Sequence, residues 1–102
     1  MVEASITFDM LPNVDLTAYA AWGKKAIEAC RKARGFVEGR ANRSLLGPAQ
    51  VRIASSWQTV ADWGNFTQGA WGPLDVELRS YATNIKSELW GPSPLTPEPF
   101  RP

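Results

Sequence analysis

The sequence predicts one α+β domain with a ferredoxin-like β-α-β-β-α-β order, in which a four-stranded antiparallel sheet carries its helices on one face. Three observations predict it. A chain of 102 residues is long enough for one domain. The spacing of apolar residues changes along the chain from the period of a strand to that of a helix, and back. Segments rich in glycine and proline separate these stretches, and the last of them divides a domain at 1–90 from a proline-rich tail at 91–102.

The first strand and the first helix follow from the change of period. Residues 3–11, EASITFDML, alternate apolar with polar side chains, which is typical of a strand. Asp15 stands at the position of a helix N-cap. From Leu16 to about Ala33 the apolar residues recur at helical spacing, with the lysines and arginines away from them. Gly35 is suited to end this helix, and Cys30 is interpreted as a small core residue.

Two further strands are expected to pair as a hairpin. The first runs from about Phe36 to Leu45, the turn falls at 46–50, and the second runs from Val51 to Trp57. Alternation places Val51, Ile53, Ser55 and Trp57 on one face, and Arg52, Ala54 and Ser56 on the other. Gly39 within the first strand indicates a bulge or a close approach by another group.

The remainder of the domain is expected to be a second, interrupted helical region and a last strand. Residues 58–68 predict a short helix with Thr59 as its N-cap. Gly69, Gly72 and Pro73 interrupt it, and a helical stripe resumes before the strand at 84–90.

Composition excludes several classes of function. The net charge of +1 gives no basic field for nucleic acid, and no apolar run is long enough to span a bilayer. The N-terminus lacks the pattern of a secretory signal, and the single cysteine fits a reducing compartment, so we expect a cytoplasmic protein. Histidine is absent, which excludes a Ser-His-Asp triad and leaves almost no ligands for zinc or haem.

The chain resembles the antibiotic biosynthesis monooxygenase-like family of dimeric α/β-barrel proteins over nearly its whole length up to about Trp90. The resemblance is carried by Gly35 and Phe36 at the start of the second strand, by the segment SSWQTVADWGNF at 55–66, and by the interrupted second helix. It implies a homodimer in which two sheets face each other, and a cavity in each subunit between the sheet and the helices.

The resemblance also implies a range of activities. Some members oxidise polycyclic aromatic molecules to quinones with O₂ and without metal or flavin, and others degrade haem through a histidine that this chain lacks. We therefore expect a cofactor-independent monooxygenase, with no cofactor, acting on a hydrophobic aromatic molecule of the polyketide or phenol type. The alternatives are a non-catalytic small-molecule-binding or dimeric scaffold protein, and a polyketide cyclase-like enzyme.

The candidates for the ligand pocket are aromatic and arginine side chains, and no catalytic residue is assigned. Trp57 and Trp63 are expected to fasten the short helix to the sheet. Phe66 and Trp71 lie beside the segment that Gly69 and Gly72 interrupt, and each is expected to be either a core residue or a pocket residue. Arginine could hold an anionic oxygen, but charged residues on that sheet face could equally pair with one another. The full set of candidates is Tyr19, Trp22, Arg40, Arg52, Phe66, Trp71 and Tyr81.

Overall fold

The computed structural model describes residues 1–47 and 49–102, which form four strands and three helices in the order β-α-β-β-α-α-β. The elements are β1 (Val2–Met10), α1 (Leu16–Lys32), β2 (Phe36–Arg43), β3 (Gln50–Trp57), α2 (Val60–Gln68), α3 (Trp71–Leu78) and β4 (Ala82–Trp90). All pairings are antiparallel in one sheet of order β2-β3-β1-β4. This confirms the predicted ferredoxin-like fold. The turn predicted at 46–50 includes Pro48, which lies outside the described residues.

The predicted interruption of the second helical region separates two helices. The amide of Gly69 donates to the carbonyls of Asn65 and Phe66 and so closes the end of α2. The backbone of Gly69 leaves the helical region, at φ −107° and ψ −102°, and α3 begins two residues later at Trp71. The break matters for the site because it turns the Trp71 side chain back toward α2.

The helix ends carry the caps that the sequence predicts. The Oδ1 atom of Asp15 accepts from the amides of Thr17 and Ala18 at 3.0 and 3.1 Å. The Oγ1 atom of Thr59 accepts from the amide of Asp62 at 3.1 Å. These bonds satisfy amides at the first turns of α1 and α2 that have no partner inside the helix.

Gly35 joins α1 to β2 in a conformation that favours glycine. Its φ is +83°, in the left-handed region, and a Cβ at this position would overlap the side chain of Asp62. The close approach of Asp62 brings the start of α2 against the end of α1. Gly39 in β2 also lies close to another group, as the sequence predicts, because a Cβ there would be 3.3 Å from the Phe36 ring.

The two faces of the sheet differ in character, and the strand register defines them. The helix-side face carries Ile6 opposite Ile53, Phe8 opposite Val51, and Ala4 opposite Ser55. The other face, called the outer face below, carries Glu3, Ser5, Thr7, Glu38, Arg40, Asn42, Arg52, Ala54, Ser56, Lys86, Glu88 and Trp90. It is therefore mostly polar, whereas the helix-side face is mostly apolar.

The core between sheet and helices consists of two clusters. The first cluster has Phe8, Trp22, Leu74 and Leu78 at its centre, and it holds α1 and α3 on β1. Trp22 is 1% exposed, and its Nε1 donates to the carbonyl of Leu74 at 2.9 Å, which ties α1 directly to α3.

The second core cluster lies at the other end of the helix-side face. It comprises Ala4, Trp57 and Phe66, with Trp71 and other half-buried side chains packed around it. Trp71 contacts both clusters. A continuous line of rings, with successive centroids 4.9 to 6.2 Å apart, runs through Tyr81, Tyr19, Trp22, Trp71, Phe66, Trp57 and Phe36.

The tail at 91–102 is exposed along its whole length. The sequence suggests that its apolar residues pack on the chain itself or on a partner subunit. The first alternative is wrong for this structure, because Leu95 and Phe100 are 94% and 88% exposed. Packing on a partner subunit stays a prediction. No helix in the described part of the chain is both long and apolar enough to cross a membrane.

Candidate functional site

The candidate site is a cavity of about 90 Å³ between the sheet and the helices, called the sheet–helix cavity below. Its walls are mostly aromatic, and its base is formed by small and aliphatic residues of the sheet. The lining residues are Ala4, Ser5, Ile6, Cys30, Ile53, Ser55, Trp57, Trp63, Phe66, Thr67, Trp71, Ser87 and Glu88. Every helix and three of the four strands contribute to this lining. Ser5 and Glu88 are part of it although the strand register places their side chains on the outer face.

Local structure places the four aromatic rings of the wall. Trp57 ends β3 on the helix-side face, and it is fully buried. Trp63 and Phe66 follow one another at helical spacing on α2, so both turn toward the sheet. Trp71 begins α3 after the glycine break. The Phe66 ring centroid lies 4.9 Å from that of Trp57 and 6.2 Å from that of Trp71.

The polar groups in the cavity are hydroxyls and a thiol. The Nε1 atom of Trp57 donates to Ser55 Oγ at 2.9 Å. Thr67 Oγ1 donates to the carbonyl of Gly64 at 3.0 Å, so its proton is already used within α2. Burial raises the pKa of the Cys30 thiol, which keeps it protonated at neutral pH and weakens it as a nucleophile.

Two of the candidates from the sequence, Phe66 and Trp71, line the sheet–helix cavity. Trp22 lies in the first core cluster, with Tyr19 and Tyr81 packed against it. None of these last three side chains is among those that line the cavity.

The two tyrosines are held by contacts within the protein. Tyr19 stacks on Trp22 with ring centroids 5.8 Å apart, and burial raises the pKa of its hydroxyl. Tyr81 donates from its hydroxyl to Glu77 Oε2 at 3.1 Å, and Lys25 forms an ion pair with the same carboxylate. Burial and the Glu77 carboxylate raise the pKa of Tyr81. Its hydroxyl therefore already has a partner in the protein.

The two candidate arginines lie on the outer face of the sheet, across from the cavity. Arg52 Nη2 is 3.1 Å from Glu3 Oε1, and Arg40 Nη2 is 3.2 Å from Glu38 Oε2. This arrangement is the pairing of charges on one sheet face that the sequence offered as the alternative to an anion-binding role.

Sequence reasoning assigned no ligand role to Ser55, Trp57, Trp63 or Thr67, although all four line the cavity. Ser55 had a visible signal, because alternation places this polar residue on the core face between Ile53 and Trp57. The sequence predicts a core position for Trp63, and the structure places it half-buried in the cavity wall. Helical spacing alone does not distinguish a core position from one in the wall of a cavity.

A second, wider depression lies between α1 and α2, and Phe66 lines it as well as the sheet–helix cavity. Its volume is about 340 Å³, and it is lined by Ala29, Lys32, Ala33, Arg34, Asp62, Asn65, Phe66 and Ala70. It is a shallow surface groove with a charged rim. The sheet–helix cavity is smaller, but four aromatic rings form its wall, as in sites for apolar ligands.

Solved structures with the same fold are found among antibiotic biosynthesis monooxygenase-like proteins. The chain is similar to SnoaB, a cofactor-independent oxygenase from Streptomyces nogalater, with a TM-score of 0.75, 15% identity, and 95% of this chain and 97% of that one covered. A Deinococcus radiodurans protein assigned by name to the antibiotic biosynthesis monooxygenases gives a TM-score of 0.78, 14% identity, and coverage of 91% and 93%.

A conserved protein from Methanosarcina mazei, whose name carries no activity, is similar to the same degree, with a TM-score of 0.77, 11% identity, and coverage of 87% and 89%. No protein-family model and no curated protein sequence matches the chain. The comparisons confirm the resemblance predicted from the sequence at the level of the fold. Among the described residues, no group of three or more Cys, Asp or Glu side chains is placed to hold a metal ion.

Proposed function

We propose that this protein is a cofactor-independent monooxygenase that acts on a hydrophobic aromatic molecule of the polyketide or phenol class in its sheet–helix cavity. The observation that carries the proposal is the wall of four rings, Trp57, Trp63, Phe66 and Trp71, around one opening. Aromatic side chains favour a flat aromatic ligand through offset or edge-to-face contacts. The activity in the name of SnoaB supports the choice of reaction.

The reaction class needs no reductant other than the substrate. An activated aromatic methylene, as in anthrone, reacts with O₂ to give a carbonyl and water. One oxygen atom enters the substrate, and the other leaves as water with both methylene hydrogens. The four electrons that reduce O₂ come from the carbon that is oxidised. The protein would have to orient the ring and exclude water from the radical or anionic species formed on the way.

The size of the cavity limits how the substrate would enter. A dry cavity of about 150 Å³ lined by aliphatic and aromatic residues is known to bind benzene. The sheet–helix cavity, at about 90 Å³, is smaller than that but open on one side, so a ring would enter it only in part and the rest of the substrate would occupy the mouth. The proposal assigns no substrate contact to Arg40 or Arg52, because both lie across the sheet.

One observation favours a second candidate, a non-catalytic protein that binds aromatic molecules. Ser55, Thr67 and Cys30 are weak acids and bases, and the strand register places the side chain of Glu88, the one carboxylate residue in the lining, on the outer face. A cavity of this kind can hold a ring without activating it. A cyclase-like enzyme would need an acid–base pair at the ligand, so the same observation counts against that alternative.

Oxygen uptake separates the two candidates. We would incubate the protein with anthrone and with 1-naphthol, and record O₂ consumption and product absorbance against heat-denatured protein. The monooxygenase proposal expects uptake above autoxidation that falls when Trp71 is replaced by alanine. A matched control is Val76→Ala on the same helix, where Val76 is 70% exposed and outside the cavity. No uptake above autoxidation with either substrate would contradict the oxygenase activity and leave the binding function to be tested directly.

We further propose that the protein is a homodimer with the two outer faces in contact. The outer face carries three acidic residues (Glu3, Glu38, Glu88) and three basic ones (Arg40, Arg52, Lys86), so two copies related by a twofold axis can pair opposite charges. Ser5 and Ala54, each 6% exposed, place small side chains between these charges and allow the sheets to approach. Trp90, on the same face, is 58% exposed in the single chain and would be covered.

Sedimentation velocity tests the dimer. We expect one species of twice the mass of 11.2 kDa at micromolar concentration, and a weaker dimer when residues 91–102 are deleted. A sharp monomer peak for the full chain would contradict the dimer. An unchanged dimer after the deletion would contradict packing of the tail on the partner subunit.

A further inference from the structure

We infer that Ser55 holds the oxygen atom of the ligand in the sheet–helix cavity, and that the ligand binds as a neutral aromatic molecule with a hydrogen-bond-accepting oxygen, such as an aryl ketone. This inference rests on the proposed function to the extent that the cavity must take an aromatic molecule. It does not depend on whether the protein oxidises that molecule.

The first step of the argument is the hydrogen bond between Trp57 and Ser55. The indole Nε1 of Trp57 donates to Ser55 Oγ at 2.9 Å, and the Trp57 side chain is 0% exposed. An indole nitrogen can only donate, so this bond fixes Ser55 Oγ as the acceptor. A serine hydroxyl also has one proton of its own to donate. Within residues 1–47 and 49–102, the hydrogen bonds found include no protein acceptor for that proton.

The second step is the space around Ser55. Its partners in the sheet are Ala4 on β1 and Gly39 on β2, so neither neighbouring strand has a long side chain that could cover the hydroxyl. Ser55 lies on the helix-side face and lines the cavity together with Trp57 and Ile53. The hydroxyl is therefore a polar group on an otherwise apolar part of the cavity base, held from behind by a buried indole.

The third step is the strength of the donor. A hydroxyl that accepts one hydrogen bond becomes polarised and donates more strongly in the next, particularly where the surroundings are apolar. The two hydrogen bonds therefore run in one direction, from the Trp57 N–H to Ser55 Oγ and from the Ser55 O–H to the ligand. This arrangement favours a ligand atom that accepts a hydrogen bond over one that donates.

The fourth step is the charge of the ligand. No lysine or arginine lines the described cavity, and the register of β4 places the side chain of Glu88, its one carboxylate residue, on the outer face. An anion would lose its hydration without gaining a cation, which is costly in an apolar site. A neutral ligand oxygen loses less and gains the bond from Ser55.

The experiment compares two ligands of nearly the same shape, 1-indanone and indane, which differ in the carbonyl group. Binding to the purified full-length protein would be followed by tryptophan fluorescence, and the carbonyl stretch of bound indanone by infrared difference spectroscopy. We expect indanone to bind more tightly than indane, and its carbonyl band to shift to lower frequency. Ser55→Ala should weaken indanone binding about two- to tenfold, as expected for one neutral hydrogen bond, and leave indane unchanged. The band shift should disappear.

Ser56→Ala is the matched control, because Ser56 is the next residue of the same strand and lies on the outer face. It should change neither affinity nor the infrared band. Ser55→Thr keeps the hydroxyl and should retain part of the band shift if it folds. Binding of both ligands with equal affinity to wild type and Ser55→Ala would overturn the role of Ser55 and leave the aromatic cavity standing. Failure of both ligands to bind wild type would overturn the cavity as an aromatic site, and the role of Ser55 with it.

Discussion

Replacement of Trp22 by phenylalanine tests whether the first core cluster is a structural unit separate from the ligand cavity. Trp22 is 1% exposed, and its indole joins α1 to α3 through the carbonyl of Leu74. Loss of this buried hydrogen bond should cost about 1 kcal/mol. The smaller ring should cost about 1–2 kcal/mol more, because full truncation of a buried aromatic residue to alanine costs about 3–5 kcal/mol. The free energy of unfolding should therefore fall by about 2–3 kcal/mol.

The assay is urea denaturation followed by circular dichroism at one fixed protein concentration, since unfolding of a dimer depends on concentration. The midpoint should fall with little change in the slope. Val76→Ala, at an exposed position of α3, should change the free energy by less than about 0.5 kcal/mol. The affinity of Trp22→Phe for 1-indanone should stay within about twofold of wild type. A small loss of stability combined with a large loss of affinity would refute the assignment of Trp22 to the core rather than to the ligand cavity.

Three further predictions concern single positions. Gly35→Ala should destabilise the fold by more than about 2 kcal/mol in the same denaturation assay. The left-handed backbone costs alanine about 1–2 kcal/mol, and the new Cβ would also displace Asp62. A loss of stability below about 1 kcal/mol would contradict this prediction. The hydrogen bond from Lys25 is the main cause of the lowered pKa of Glu77. The ionised Glu77 carboxylate should therefore stabilise the folded state above pH 4.5, and this contribution should be lost as the pH falls below that value. The stability difference between wild type and Lys25→Met should accordingly shrink on acidification, and a difference that grows would contradict the assigned sign. Cys30 should react with iodoacetamide at pH 7.5 more slowly than a free thiol, because burial raises its pKa. The reaction should be slower still with 1-indanone bound, and equal rates with and without 1-indanone would place Cys30 outside the cavity.

The sequence was sufficient for the fold because its signals are local. Alternation in β1, the caps Asp15 and Thr59, and the left-handed Gly35 each follow from a few neighbouring residues, and the structure contains them all. The division of the second helical region into α2 and α3 followed from its glycines in the same way.

The candidate site was only partly predictable because it depends on distances between elements. Phe66 and Trp71 stood out through the glycine break beside them, and both line the cavity. Tyr19 and Trp22 share the same helical stripe, but nothing local shows that α3 covers them. The face of Arg40 and Arg52 was predictable from alternation, whereas the position of the cavity relative to that face was not.

The central claim is that the sheet–helix cavity binds an aromatic molecule, and the five tryptophans of the chain provide a direct test. Trp57, Trp63 and Trp71 line the cavity, whereas Trp90 lies on the outer face. In ¹⁵N-labelled protein, titration with 1-indanone should shift the indole N–H signals of the three cavity tryptophans along one saturable curve and leave that of Trp90 unchanged. Absence of saturable shifts at Trp57, Trp63 and Trp71, or saturation confined to Trp90, would contradict the account.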